Sequence, residues 1–117
     1  MIHFEESEFT CPDCNLGFSS MDDDLLDMLD RARGYAEVPF IITSSIRCPA
    51  HNQMVGGSKK SSHMIGMAVD ISCVTSYQRH QILTGLMKAG FNRLGVSAVF
   101  IHCDIDPGKP KNLMWLY

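Results

Sequence analysis

The segment SSHMIGMAVDI, residues 61–71, places two ionisable side chains at either end of a mostly apolar run. His63 comes first, and Asp70 follows seven positions later, inside a stretch rich in β-branched residues that is typical of a buried strand. A buried carboxylate is costly unless it is paired, hydrogen-bonded or bound to a metal. Any fold of this chain must therefore bring a partner to Asp70.

A second segment, VFIHCDID, supplies side chains of the same chemical kind. Because side chains alternate between the two faces of a strand, His102 and Asp104 share one face of it, opposite to the apolar face. Asp70 likewise lies on the non-core face of MAVDIS. If the two strands are neighbours, Asp70, His102 and Asp104 converge, and His63, in the loop before the first strand, can reach the same place.

The rest of the chain indicates an α+β domain. Helices are predicted from about Met21 to Gly34, after a Ser20 cap, and over SYQRHQILTGLMKAG, with Gly90 as the stop. Further strands are predicted in PFIITSS, RLGVSA and LMWLY, whereas RCPAHNQMVGGSKKSSH is read as a polar loop. Since 117 residues suffice for one compact core, we expect a single domain over residues 1–117, with helices packed on a small, mostly antiparallel sheet.

Two imidazoles and one carboxylate suit zinc, and catalytic zinc sites usually keep three protein ligands and one open position. The alternative for each residue alone is structural: His63 caps a turn, and Asp70 bonds to the backbone. Convergence of residues from two strands of matching parity favours chemistry.

Charge and hydropathy exclude other classes of function. The net charge of −3 gives no general attraction to nucleic acid, and no apolar run is long enough to cross a bilayer. The start, MIHFEESEFTC, has neither the basic nor the apolar region of a signal peptide. We therefore expect a monomer made in the cytoplasm, with no nucleic-acid or membrane partner.

Five cysteines in a chain without a secretion signal are expected to be thiols. Cys11 and Cys14 form one C-x-x-C, but a structural zinc usually needs two more ligands in a comparable pattern. Cys48, Cys73 and Cys103 do not repeat it, and no thioredoxin-like context supports a redox pair. The sequence thus predicts an N-terminal loop with incidental thiols and no second metal.

These segments carry a resemblance to a known family. SSHMIGMAVDI resembles the S-x-H-x-x-G-x-A-x-D motif of the zinc D-Ala-D-Ala carboxypeptidase family, and FIHCD resembles the later strand that carries its third zinc ligand. TSSIRCPAHNQMVGGS resembles the preceding segment of the family, and the opening FEESEFTCPDC and closing WLY resemble its short phage and bacterial members. The resemblance spans nearly the whole chain.

The resemblance implies a hedgehog/D-Ala-D-Ala peptidase-like fold with Zn²⁺ held by His63, Asp70 and His102. It implies a peptidoglycan peptide as the substrate and Arg47 as the clamp for a substrate carboxylate, since a guanidinium can grip a carboxylate with two hydrogen bonds. Ser61 would bind the substrate or orient His63; a turn residue is the other interpretation.

The general base departs from the family pattern. Relatives place an acid three residues before the last zinc histidine, but this chain has Val99 there, on the apolar side by strand parity. Asp104 lies two residues past His102, roughly 6 to 7 Å along the same strand face. We expect Asp104 to act as the base, with an orienting carboxylate as the alternative, and we expect Asp106, next to Pro107, to lie in a turn.

The resemblance leaves three functions open. The first is a D-Ala carboxypeptidase or endopeptidase of peptidoglycan, such as a phage endolysin that reaches the wall by lysis. The second is a zinc-bearing module that binds cell-wall peptide without cutting it, as the hedgehog domain shows that this fold can serve binding. The third is a cytoplasmic dipeptidase acting on free D-Ala-D-Ala.

Overall fold

The computed structural model describes residues 3–117, which form an α+β fold, as the sequence predicts. Within this range, five strands form one sheet: β1 Ile42–Ser44, β2 Ala68–Ser72, β3 Arg93–Val96, β4 Phe100–Asp104 and β5 Leu113–Leu116. Their order is β1-β2-β4-β3-β5, and every pair is antiparallel except β3–β5. The helices are α1 Asp23–Ala36, α2 Pro49–Met54 and α3 Ser76–Lys88.

Helix α1 begins later than the sequence suggests. Its cap is Asp22, whose carboxylate accepts a hydrogen bond from the Leu25 amide at 3.0 Å, whereas Ser20 belongs to a preceding 3-10 turn. The helix continues past Gly34 and ends where Glu37 adopts a left-handed conformation with φ of 59°. A glycine near a helix end is therefore not always its stop, because a later residue can take the left-handed position.

Helix α3 packs closely against α1. Thr75 caps its first turn, and Gly90, at φ of 103°, follows its end as predicted. At Gly85, an added Cβ would overlap the Ala32 carbonyl oxygen and lie 2.8 Å from Cβ of Ala36. The absence of a side chain at Gly85 thus allows the two helices to approach.

The two helices cover the apolar face of the sheet. Side chains of β2 and β4 enter the same core as the buried stripes of α1 and α3; the fully buried members include Val69, Ile71, Ile101, Cys103, Leu25, Leu29, Ile82 and Leu86. In the β2–β4 register, Asp70 lies directly opposite His102, and Ala68 opposite Asp104. The strand-parity prediction is therefore confirmed: one face is core, and the other carries the ionisable residues.

Helix α2 was not predicted. It occupies six residues of the segment interpreted as a polar loop, begins with Pro49 and is capped by the Cys48 side chain. Six residues are too few to show a helical period in the sequence. Among the described residues, no helix is both long enough and apolar enough to cross a membrane.

Candidate metal centre

His63, Asp70 and His102 meet on the open face of the sheet. Oδ1 of Asp70 lies 2.9 Å from His102 Nδ1 and 3.2 Å from His63 Nε2. The donor atoms of the three residues all lie within 4.8 Å of one another, and all three side chains are largely buried. His63 reaches this place from the 3-10 turn Ser62–Ile65, which ends at Gly66 with φ of 70°.

In each imidazole, the nitrogen that does not face Asp70, here called the outer nitrogen, is hydrogen-bonded to another group. His63 Nδ1 lies 2.8 Å from the Ser45 carbonyl oxygen, and His102 Nε2 lies 2.7 Å from Oδ2 of Asp104. Both partners accept hydrogen bonds and could each hold a proton on that nitrogen once a metal takes the place of the Asp70 contact, as in metal sites where a carbonyl or carboxylate fixes the ligand tautomer. His63 Nε2 and His102 Nδ1 are then available as ligands beside the Asp70 carboxylate, a set of donors that fits Zn²⁺.

The electrostatics of the cluster are those of a cation site. Burial would raise the pKa of Asp70, but hydrogen bonds and charge from His102 and His63 outweigh it and hold that pKa well below the usual range. Burial would lower the pKa of His102, yet the carboxylates of Asp104 and Asp70 raise it. The two acids thus provide negative charge that a bound cation can neutralise.

Asp104 lies behind His102, in contact with Arg93. Its Oδ1 accepts from Arg93 Nε at 2.7 Å and from the Asp106 amide at 3.2 Å, and the residue is only 1% exposed. Burial would raise the pKa of Asp104, but hydrogen bonds from His102 and Arg93 lower it. Arg93 was not identified from the sequence, since no motif contains it. It reaches Asp104 because β3 pairs with β4.

Arg47 lies beside Asp70, held from three sides. Its Nε donates to Ser44 Oγ at 2.9 Å, Nη1 to Asn52 Oδ1 at 3.2 Å, and Nη2 to Asp70 Oδ2 at 3.4 Å. A side chain at Gly57 would overlap the Asn52 amide and lie 3.0 Å from Arg47 Nη1. The Val-Gly-Gly turn therefore leaves room for the residues that position the guanidinium.

The two serines before His63 have different contacts. Ser61 Oγ accepts from the His63 amide at 3.2 Å and so caps the turn that carries this histidine. Ser62 Oγ donates to Asp106 Oδ2 at 2.8 Å and accepts from Lys109 Nζ at 2.7 Å. Asp106 lies in the loop after β4, as predicted; Ser62 and Lys109 were not identified from the sequence.

A cleft of about 330 Å³ opens above these residues. Its lining includes Arg47, Ser61, Lys109 and the three metal-site residues, together with aromatic side chains from β4, β5 and the residue after β5: Phe100, Trp115 and Tyr117. The Trp115 ring lies 5.6 Å from that of His102, and an added Cβ at Gly95 would overlap it.

Trp115 and Tyr117, near the end of the chain, do not belong to the core. Tyr117 is 67% exposed, and both rings line the cleft instead. The reason is that β5 joins the outer edge of β3, so its residues extend the open face of the sheet beside His102.

Val99 also differs from its expected placement. It precedes β4 and is 59% exposed, so it does not lie on the apolar face. Within residues 3–117, the carboxylates lining the cleft are those of Asp70 and Asp104.

Two histidines and an aspartate converge on a mixed sheet beneath an open cleft. This is the kind of site found in metal-dependent hydrolases. The family model for Peptidase M15 matches residues 2–104, a range that contains all three candidate ligands. The chain belongs to the Peptidase M15 family, the metallopeptidases of the zinc D-Ala-D-Ala carboxypeptidase type. No curated protein sequence matches it.

Proposed function

We propose that this domain is a zinc-dependent peptidase that cleaves stem or cross-bridge peptides of peptidoglycan, as a D-Ala carboxypeptidase or an endopeptidase. The observation that carries the proposal is the His63–Asp70–His102 set, with both outer imidazole nitrogens bonded to acceptors and Arg47 beside it in the cleft. Zinc at this position, when bound, polarises a peptide carbonyl and lowers the pKa of a water molecule.

Arg47 is suited to hold a substrate carboxylate. Of its five N–H donors, three are used by Ser44, Asn52 and Asp70, which leaves one on each terminal nitrogen. The Lys109 ammonium, 3.6 Å from Asp106 Oδ2, adds positive charge to the cleft lining beside Arg47 and Arg93. Peptides that end in D-Ala or contain D-Glu offer carboxylates, whose charge is opposite to that of Arg47 and Lys109. The cleft therefore favours an acidic peptide.

Ser61 contributes by orientation. Its hydroxyl oxygen already accepts from the His63 amide, which favours the interpretation that Ser61 positions this histidine. The hydroxyl proton is still available to a substrate, since the contact uses only the oxygen lone pair.

The contacts of Asp104 favour positioning over proton transfer. Both carboxylate oxygens are engaged, one with His102 Nε2 and the other with Arg93 Nε, and the residue is almost fully buried. A general base needs a pKa near the working pH and access to the proton it removes, and the Arg93 contact opposes the first. We therefore propose that Asp104 holds His102 in place; its role as the base stays a prediction for the Asp104→Asn variant.

The contacts that engage both oxygens of Asp104 also support a second candidate, a zinc-bearing module that binds cell-wall peptide without cutting it. Among the described residues, the cleft contains no carboxylate other than one candidate ligand, Asp70, and the fully bonded Asp104. Binding requires Arg47, Lys109 and the aromatic wall, but no base. Turnover separates the two candidates.

The test is incubation of zinc-loaded protein with defined muropeptides, followed by mass spectrometry of the products. Release of a terminal D-Ala identifies a carboxypeptidase, and division of a cross-linked dimer identifies an endopeptidase. Cleavage restricted to free D-Ala-D-Ala would indicate a dipeptidase instead. Uncut peptide that nevertheless binds the protein would overturn the enzyme proposal in favour of the binding module. His63→Ala is the inactive control, and His80→Ala, at an exposed helical histidine, is the matched control.

The proposed substrate also bears on where the domain acts. We propose that the domain reaches the wall after lysis of the producing cell, as for a phage endolysin. Protein added from outside to purified sacculi should release soluble peptides or free D-Ala, whereas its accumulation inside intact bacterial cells should leave them unlysed. Lysis of intact cells by the accumulated protein alone would contradict this route.

A further inference from the structure

Three cysteines from two distant segments form a cluster that the metal centre does not use. Cys11 and Cys14 belong to the CPDC loop, and Cys48 precedes α2. Sγ of Cys11 lies 3.7 Å from Sγ of Cys48, and the three sulfur atoms lie within 4.8 Å of one another. All three are free thiols.

The sulfur spacing matches metal coordination. Zn–S bonds of about 2.3 Å at tetrahedral angles place two sulfur ligands about 3.8 Å apart. The measured 3.7 Å between Cys11 and Cys48 is close to this value, and it is far longer than the roughly 2.05 Å of an S–S bond. This pair thus has the spacing of two thiolate ligands of one ion, and the sulfur of Cys14 lies within 4.8 Å of both.

Backbone amides support the sulfur atoms. The Cys48 amide donates to Cys11 Sγ and the His51 amide donates to Cys48 Sγ, each at 3.5 Å. Hydrogen bonds of this kind stabilise coordinated thiolates and hold them in position. The third cysteine, Cys14, is a partly exposed residue, which places this side of the cluster near solvent.

We propose that Cys11, Cys14 and Cys48 bind a second Zn²⁺ through three thiolates. Three thiolates are a ligand set that selects zinc over hard cations. His51, whose Nδ1 lies 2.6 Å from Asp13 of the CPDC loop, is not among the donor atoms that lie within 4.8 Å of one another, so the fourth position is assigned to water. The sequence prediction of no second metal set Cys48 aside, because its spacing from the pair repeats no motif.

This site joins two parts of the chain that are distant in the sequence. The first twenty residues contain, among those described, only the 3-10 turns Glu6–Glu8 and Phe18–Ser20. Cys48 directly follows Arg47, which contacts Asp70. A metal here would therefore attach the N-terminal loop to the segment that positions the cleft arginine.

Cobalt titration tests the site without relying on activity. Protein kept under reductant and stripped with a chelator is titrated with Co²⁺ alone. We expect two Co²⁺ per chain and a thiolate-to-cobalt charge-transfer band in the near ultraviolet. Cys48→Ser should reduce the stoichiometry to one and remove the band, whereas His63→Ala should reduce it to one and keep the band.

Further variants provide a second test if Cys48→Ser does not fold, and they test the identity of the fourth metal ligand. Cys14→Ser, at a partly exposed site, repeats the Cys48→Ser test where that variant does not fold. Cys73→Ala, at a thiol in the core, and His51→Ala should keep both ions and the band. Loss of the band in His51→Ala would replace water by His51 as the fourth ligand and so overturn that part of the assignment.

Two results overturn the site itself. One is a wild-type protein that binds a single Co²⁺ and shows no thiolate band. The other is a Cys11–Cys48 disulfide that persists under reductant, which would make the cluster a covalent link. Neither result depends on peptidase activity, so failure of this site and failure of the proposed function are distinguishable.

Discussion

At the scale of single residues, the site depends on side chains that act through others. His102 is held between Asp70 on one side and Asp104 on the other, and Asp104 is in turn held by Arg93. Such outer carboxylates fix the ring orientation and raise the basicity of a metal-bound imidazole. Metal affinity and turnover can therefore change independently in variants of this chain.

Replacing Asp104 by Asn separates positioning from base catalysis. If Asp104 orients His102, zinc affinity at the sheet site should fall by about 10- to 100-fold while turnover per bound zinc stays near normal. If Asp104 is the base, zinc occupancy should be unchanged and the rate should fall by roughly 10² to 10⁴-fold. Zinc content and turnover are measured on the same preparation, with Asp27→Asn, at a surface ion pair, as the carboxylate control.

Replacing Arg47 by Lys tests the carboxylate clamp. Lysine keeps the positive charge but loses the planar fork that contacts Ser44, Asn52 and Asp70. We expect zinc content to be retained and kcat/KM on carboxylate-bearing peptides to fall by at least about tenfold, the equivalent of losing one charged hydrogen bond. Arg31→Lys, at a surface ion pair, is the control. Equal activity of Arg47→Lys and wild type would place the clamp elsewhere.

At the scale of elements, the contact between α1 and α3 favours glycine at a helical position where alanine would ordinarily be the more stable residue. Alanine in a helix interior is about 1 kcal/mol more favourable than glycine. At Gly85, however, the added Cβ would meet the backbone of α1, which cannot move as a side-chain end can. Close packing between two helices thus outweighs local preference at this position.

We expect Gly85→Ala to lower the free energy of unfolding by about 1–2 kcal/mol, since overpacking typically costs about 1–3 kcal/mol and exceeds the gain in propensity. Denaturant unfolding measures the change. Gly34→Ala is the matched control in α1, because its Cβ would meet only the end of the His3 side chain, at 3.1 Å. A Gly85→Ala protein as stable as Gly34→Ala would show that the helices can separate at little cost.

At the scale of the whole molecule, the candidate zinc ligands tie separate parts of the chain together. Asp70 and His102 lie on neighbouring strands, and His63 lies in the 3-10 turn before β2. A metal that binds the native state and not the unfolded chain stabilises the native state by mass action. Folding stability should therefore respond to zinc.

Removal of zinc should lower the thermal unfolding midpoint. At a free zinc concentration of 100 times the dissociation constant, one site contributes about 2.7 kcal/mol. Scans with zinc and with chelator should differ more for wild type than for His63→Ala, which lacks one ligand of the sheet site. Equal zinc responses in the two proteins would contradict binding at His63.

The local pattern of the sequence determined much of the fold and of the site. Strand parity placed Asp70, His102 and Asp104 on one face, because alternation is a property of each strand by itself. The local pattern also supported the α+β class and the glycine stop at Gly90, just after α3. The short helix α2 left no periodic signal, and the cap at Asp22 was missed because several polar residues near it could serve equally well.

Other features depended on contacts between segments that are distant in the sequence. The sequence does not show that β5 pairs with β3, which turns Trp115 into a wall of the cleft, or that Arg93 reaches Asp104. Cys48 lies 37 positions from Cys11, and only the tertiary structure brings their sulfur atoms together. Periodicity records which face a side chain takes within its own element, whereas contacts between distant segments are decided by the packing of the whole core.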